Sequence, residues 1–302
     1  MERQICYSHT HVTNNLTMSL ILVTGASGFI GNFVVSRLLE TGHDVIATSV
    51  NAEKAAKKDW FNKVSYKELD FEHIHAGVNY FEYFENPDMI IHLAWEGLPN
   101  YKSLFHFELN LNRHYVFLKN LVTNGCRNLT VAGTCFEYGM KNGCLSEDMQ
   151  TDPANPYALA KDTLNKFLRE LSKNEPFTLK WVRLFYLYGP GQNPGSLFSQ
   201  LQKALENNDP VFNMSGGEQV RDYLPVQKAA EYIVEIALQD KITGNINCCS
   251  GKPFTIKEMV NEFVRNSGKK IELNYGYYPY ADYEPMAFWG DNKKLQKIIN
   301  ET

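Results

Sequence analysis

The sequence lacks any excess of positive charge. Its 302 residues hold 30 Lys and Arg against 34 Asp and Glu, a formal net charge of -4. No overall basic field therefore draws the chain to nucleic acid or to an anionic membrane surface. Long apolar runs are also missing: none approaches the roughly 18 residues that a membrane-spanning helix needs. The six cysteines (Cys6, Cys126, Cys135, Cys144, Cys248 and Cys249) form no C-x-x-C pair and join no His/Cys cluster. The usual zinc spacings are thus absent, and no metal is expected. There is no short repeat and no low-complexity tract. Residues 1–17, "MERQICYSHTHVTNNLT", are polar and aperiodic. They lack the apolar centre of a secretory signal and are expected to form an extension without a fold of its own. Reduced thiols and a cytoplasmic location are the corresponding expectation.

What remains, 44% hydrophobic and 21% charged, suits an ordinary globular protein with ample chain for a large core. One stretch stands out. "LVTGASGFIGN" leaves an apolar run (Ile21, Leu22, Val23, Thr24) and places glycines at Gly25, Gly28 and Gly31. A buried strand that turns tightly into a helix aims backbone N–H groups and the positive end of the helix dipole at one spot, which suits a pyrophosphate. In such a turn one glycine makes the bend, a second admits the phosphates and a third lets helix and strand pack closely. The spacing here is G-x-x-G-x-x-G, a weak motif taken alone.

Strands are expected at Leu20–Thr24, Asp44–Ser49, Val64–Leu69, Met89–Ala94, Asn128–Ala132 and Leu179–Phe185. Helices are expected at Asn32–Glu40, Lys54–Trp60, Leu109–Asn124 and Tyr157–Lys173. This alternation predicts an α/β fold, a doubly wound parallel Rossmann sheet. After Gly189 the rhythm breaks in "GPGQNPGS". Residues 18–188 are read as the dinucleotide-binding domain and 189–302 mainly as a smaller substrate-binding lobe over the carboxyl ends of the strands, not an independent domain.

Tyr157 and Lys161 are four apart and share a helix face. Tyr115 and Lys119 have the same spacing, so context has to decide. Tyr157 opens a helix about twenty residues after the fifth strand, whose end carries Thr134. A tyrosine near its ordinary pKa of about 10 is a poor acid–base catalyst at neutral pH, and a nearby cation favours its phenolate.

With these residues in hand, the chain resembles the extended short-chain dehydrogenase/reductases, and within them the nucleotide-sugar epimerases, dehydratases and ketoreductases. The likeness runs from Met18 nearly to the C-terminus. It rests on "TGASGFIG", "LDF", "HLAW", "AGTCFEYG", "YALAK", "RLFYLYGPGQ" and "VRDYLPV". The runs "HLAWEGLPNY" and "GTCFEYG" are similar to bacterial deoxysugar 4-ketoreductases, the dTDP-6-deoxy-L-talose 4-dehydrogenase group.

The resemblance implies roles. Tyr157 would protonate a sugar carbonyl as hydride arrives. Lys161 would hold the nicotinamide ribose and lower the Tyr157 pKa, and Thr134 would orient the same carbonyl. Gly25, Ser27, Gly28, Phe29, Ile30, Gly31, Ser49, Asp70, Phe71, Leu93, Ala94 and Asn110 would line the cofactor together with Tyr157 and Lys161. Trp95, Tyr101, Phe136 and Tyr186 are candidates for the sugar pocket. Arg221 would meet the nucleotide diphosphate, the competing role being a salt bridge to Asp222 or Glu218. Arg183, within a strand, is read as structural, and Cys135 as a buried packing residue. A homodimer is implied by resemblance alone.

Departures from the family narrow the reaction. The 4,6-dehydratases carry Asp-Glu directly after the catalytic Thr; here Cys135 and Phe136 follow. The 3,5-epimerase-reductases need a Cys two residues beyond the hydroxyl and a His after the Tyr-Gly-Pro turn; here those positions are Phe136 and Gly191 or Gln192. The expected activity is reduction of the C4 keto group of a nucleotide-linked 4-keto-6-deoxyhexose, with dTDP as the nucleotide. An NAD-retaining 4-epimerase is the alternative, and a non-catalytic nucleotide sensor is the reading from another class. Ser49 stands where NAD-preferring relatives place an acid, so NADPH is the expected cofactor, with NAD possible. Ser49, Asn51 and Lys54 are the candidates to bind its 2′-phosphate.

Overall fold

The computed structural model describes residues 18–75 and 77–301. Residues 1–17, and the expectation placed on them, lie outside this range. In chain order the first elements are β1 (Leu20–Thr24), α1 (Phe29–Glu40), β2 (Asp44–Ser49), α2 (Ala52–Ala56), β3 (Ser65–Glu68), α3 (Tyr80–Tyr83), β4 (Met89–His92), α4 (Leu111–Thr123), β5 (Asn128–Thr134), β6 (Gly143–Leu145), α5 (Pro156–Leu171) and β7 (Thr178–Leu184). They are followed by β8 (Tyr186–Tyr188), α6 (Leu197–Asn207), β9 (Val211–Asn213), β10 (Val220–Arg221), β11 (Tyr223–Pro225), α7 (Val226–Leu238), β12 (Gly244–Cys248), β13 (Phe254–Thr255), α8 (Ile256–Ser267), β14 (Glu272–Asn274), β15 (Phe288–Gly290) and α9 (Lys293–Glu301).

Seven strands form one parallel sheet in the order β12-β7-β5-β4-β1-β2-β3. The order reverses at β1, between β2 and β4. In an open α/β sheet that reversal opens a crevice at the carboxyl ends of the strands, where ligands bind. The short apolar runs read as strands because both faces are covered. Val34 and Leu38 of α1, Ile233 of α7 and Leu295 of α9 pack on one face. Phe117 and Leu121 of α4, with Leu164 and Leu168 of α5, pack on the other. The fold is the doubly wound Rossmann sheet that the alternation predicts.

Two details differ from the sequence reading. β5 continues two residues further, so Thr134 is the last residue of the strand rather than a residue beyond it. The seventh strand, β12, comes from residues 244–248, inside the stretch read mainly as substrate lobe, and pairs with β7. The chain after 189 is therefore shared. α7, β12 and α9 complete the sheet layers, while a separate small core joins Leu201 and Leu205 of α6, Phe212 of β9, and Ile256 and Val260 of α8. Among the described residues no helix is long and apolar enough to cross a membrane, and no His/Cys/Asp/Glu group is placed to hold a metal ion.

Candidate active site

The glycine turn sits at the reversal of strand order. Gly25 has φ +70°, and a Cβ there would lie 2.8 Å from Ala94 N and 3.0 Å from the Leu93 carbonyl carbon. A side chain would separate β1 from the end of β4. A Cβ on Gly31 would lie 2.2 Å from Gly25 O, so that glycine lets α1 press against the turn. Gly28 precedes α1, and no side chain caps the helix. The N–H groups of its first turn, at Phe29 and Ile30, are left for an anion. Ser27 is buried beside them. Leu93 and Ala94 close the other wall, with Ala94 N donating to Thr24 Oγ1 at 3.3 Å.

The catalytic candidates come together by local rules. Asn155 caps α5, its Oδ1 accepting from Ala158 N at 2.9 Å, and Pro156 takes the first helical position. Tyr157 is thereby fixed in the first turn and Lys161 one turn on. Thr134, at the end of β5, lies close enough to the Tyr157 phenol to favour its ionised form. The phenol is buried between Tyr101 at 5.5 Å, His106 at 5.4 Å and Trp95 at 6.2 Å between ring centroids. Lys161 Nζ donates to Ala132 O at 2.8 Å and lies 4.1 Å from the centre of the Trp95 ring.

The electrostatics differ from expectation. Burial pushes the Tyr157 phenol above its ordinary range; Tyr101 and Glu137 add to this, and Thr134 offsets it only in part. Lys161 faces the Ala132 carbonyl and the Trp95 ring, and burial has the largest effect on the phenol. Burial in turn lowers Lys161 from 10.5 to about 7, against the raising pull of Glu137 and Glu96. The site thus holds a protonated phenol at neutral pH.

The depressed lysine has a stability consequence. Between about pH 7 and 10.5 the unfolded chain binds a proton at Lys161 that the folded protein does not, so its contribution raises stability as pH rises through that window. Lys180, lowered to about 8 by burial, acts in the same direction. The prediction is therefore a difference. In denaturant titrations without cofactor, the stability of Lys161→Met should rise less between pH 7 and 10 than that of the unaltered protein. Parallel curves would remove Lys161 from this linkage.

Behind Thr134 lies a group the sequence reading missed. Glu137 is fully buried, and its carboxylate accepts from Thr134 N at 2.8 Å, Trp181 Nε1 at 2.9 Å and Arg183 Nε at 2.7 Å. Gly133 makes room for this cluster, since a Cβ there would lie 2.2 Å from Trp181 Nε1. The pair holds the turn that carries Thr134, Cys135 and Phe136, and Arg183 is structural as read. Burial pushes the Cys135 thiol up, which fits its packing role. A second chain of buried contacts runs from Thr24 Oγ1 to His92 Nδ1 at 2.8 Å, from His92 Nε2 to His114 Nδ1 at 2.8 Å, and from His114 Nε2 to Glu96 at 2.9 Å. Neither histidine is among the residues expected to serve the site.

Asn110 closes a single π-helical turn at His106–Asn110, the kind of irregularity often found at functional sites. Its Nδ2 donates to Glu96 O at 3.0 Å, while its buried Oδ1 has no partner. That orphaned acceptor, the glycine cradle, the uncapped helix and Lys161 together fit a dinucleotide. Phe71 fits less directly. Its ring is buried and stacks on His114 at 4.5 Å, leaving only backbone for a cofactor. Asp70 is held in a local cap to Glu72 N at 2.9 Å. Ser49 is buried, with its hydroxyl 3.0 Å from the Tyr66 hydroxyl.

Around Tyr157 an aromatic box gathers Tyr101, Phe136 and Tyr186, with Tyr283 as an additional wall 6.1 Å from Tyr101; Trp95 lies on the Lys161 side of the phenol. Arg221 forms its ion pair with neither Asp222 nor Glu218 but with Glu284. It is 1% exposed and donates to Glu284 at 2.9 Å, Val220 O at 2.9 Å and Met286 O at 3.2 Å. Asp222 instead accepts from Ser250 and Gly251 N–H groups, and Glu218 bonds Tyr280. The guanidinium is therefore engaged by a carboxylate 63 residues away.

A Rossmann sheet with this Thr, Tyr and Lys above its switch point defines a dinucleotide-dependent enzyme of the extended short-chain dehydrogenase/reductase type. The model of the NAD dependent epimerase/dehydratase family matches residues 21–249, and the chain belongs to that family. It is 32% identical over 273 residues to dTDP-6-deoxy-L-talose 4-dehydrogenase (NAD(+)) of Aggregatibacter actinomycetemcomitans, covering 89% of this chain and 98% of the relative. It is 26% identical to YtcB of Bacillus subtilis, an uncharacterized UDP-glucose epimerase, over 93% and 92% of the two chains. Among solved structures, UDP-glucuronic acid 4-epimerase from Bacillus cereus in complex with NAD superposes with a TM-score of 0.79. It is 23% identical over 94% of this chain and 91% of that one, a likeness of fold.

Proposed function

We propose that the protein reduces the C4 keto group of a nucleotide-linked 4-keto-6-deoxyhexose, with dTDP as the nucleotide. The observation that carries this reading is geometric: Tyr157 and Lys161 one turn apart on α5, beside Thr134 at the end of β5, with Tyr101, Phe136 and Tyr186 packed around the phenol. A bound nicotinamide supplies or accepts hydride at the sugar carbon. The chain's own residues do the rest. Thr134 and Tyr157 both donate to the carbonyl oxygen, and as negative charge grows there Tyr157 transfers its proton to it. Cys135 and Phe136, beside Thr134, offer no carboxylate for the elimination a dehydratase needs. Lys161 would bond the nicotinamide ribose, and Asn110 Oδ1 is an acceptor on the same side. Arg221 would meet the diphosphate only by exchanging Glu284 for it. The name of the Aggregatibacter relative, a 4-dehydrogenase, supports reduction and oxidation at C4.

Nothing in the comparisons favours NADPH over NADH. The family and that relative are named for NAD, and we take NADH as the reductant. A second reading, an NAD-retaining 4-epimerase, is favoured by the names of several other relatives. Isotope transfer distinguishes the two. With NADH deuterated at C4 of the nicotinamide, a reductase places deuterium on C4 of the sugar, raising the product mass by about one unit, one transferred hydride per turnover. Unlabelled product formed at full rate would overturn the proposal.

A further inference from the structure

The cofactor end of β2 raises a question that Ser49 does not answer. A dinucleotide fold places the adenosine ribose about twenty residues beyond the glycine turn, at the end of the second strand. Ser49 is that residue, and it has no charge to offer. Its hydroxyl is also already turned toward Tyr66. The sheet, however, sets another residue beside it. Glu68, the last residue of β3, is the register partner of Ser49, which puts their backbones roughly 5 Å apart. Directly paired residues share a face of the sheet, so the Glu68 carboxylate rises on the same side as Ser49. It accepts from Ala52 N at 3.1 Å, three residues past Ser49. Asn51 Oδ1 accepts from Lys54 N at 2.7 Å in the same turn.

Two consequences follow for a ligand at this corner. The backbone donors of Ala52 and Lys54 are already occupied by oxygen acceptors, so these two are closed to a 2′-phosphate. A carboxylate stands at the mouth of the site as well, with Glu53 exposed beside it and Lys54 the cation of the same turn. A ribose with free hydroxyls can donate to that carboxylate; a 2′-phosphate can only be repelled by it.

Resting on the reading of the glycine turn as a dinucleotide site, we propose that Glu68 supplies from the adjacent strand the carboxylate missing at position 49, and so selects NAD(H) over NADP(H). The test is direct binding of NADH and NADPH to the purified full chain, read by quenching of tryptophan fluorescence and by calorimetry. The unaltered protein should bind NADH on the order of tenfold more tightly than NADPH, the scale of one charge repulsion at a surface site. Glu68→Gln keeps an acceptor for Ala52 N and removes the charge. It should tighten NADPH several-fold, leave NADH within about threefold and keep the melting temperature. Glu68→Asp should retain the preference, and added salt should narrow the ratio in the unaltered protein but not in Glu68→Gln. Equal affinities in the unaltered protein, or a ratio unchanged by Glu68→Gln, would overturn the assignment. Failure to bind either nucleotide would overturn the dinucleotide reading itself, and the role of Glu68 with it.

Discussion

Tyr157→Phe should keep the fold and the cofactor affinity and lower turnover by a factor on the order of 10²–10⁴, the usual cost of losing a positioned general acid. The substitution removes one oxygen and leaves the ring in place among Trp95, Tyr101 and His106, so packing barely changes. What is lost is a proton donor that lies beside Thr134 and whose pKa burial raises. Thr134 alone keeps a hydrogen bond to the carbonyl, which accounts for residual rate. The effect should fall on kcat, with KM nearly unchanged, because the oxygen matters most when charge develops on the substrate. Steady-state kinetics at saturating cofactor checks it. Turnover within a few-fold of the unaltered enzyme would take Tyr157 out of the mechanism.

Glu137→Ala should be the most damaging single change behind the site. It strands the Arg183 guanidinium, which is 1% exposed, and removes the acceptor from Thr134 N and Trp181 Nε1. Breaking a buried ion pair in this way costs about 3–5 kcal/mol, or roughly 10 °C in melting temperature for a chain of this size. Glu137→Gln with Arg183→Met should recover most of that loss, because the amide oxygen still accepts from Thr134 N and no charge is left alone. The Thr134 turn is seated on this cluster, so the alanine variant should also lose activity beyond its loss of folded protein. Calorimetry on the three proteins tests the account, and a melting temperature for Glu137→Ala within about 2 °C of the unaltered protein would contradict it.

The parts of the site that sequence makes legible are those set by neighbours along the chain. Gly25 needs φ +70° and a close approach to Ala94, and only glycine meets both demands. Asn155 and Pro156 announce the start of α5 one residue before Tyr157. The alternation of apolar runs with helical patterns placed six of the seven sheet strands. The seventh, "GNINC", is short and carries two asparagines, and only pairing with β7 makes it a sheet strand. The remaining features depend on residues far apart in sequence. Arg221 reads as a free cation until Glu284 is seen beside it. Glu137 finds Trp181 and Arg183 across 44 and 46 residues. The lysine expected to lower the Tyr157 pKa shares its helix, yet burial decides the outcome, and burial is a property of the whole fold. Ser49 is the clearest instance: its own identity suggested NADPH, whereas its register partner Glu68 argues for NADH.

The proposed C4 reduction is tested most directly by the stoichiometry of cofactor use. Purified protein is given NADH and a dTDP-linked 4-keto-6-deoxyhexose, and NADH loss at 340 nm is followed alongside the sugar nucleotide separated by chromatography. One NADH consumed for each 4-hydroxy product formed is the predicted result. Protein that retains tightly bound NAD and interconverts C4 epimers without consuming added NADH would contradict it.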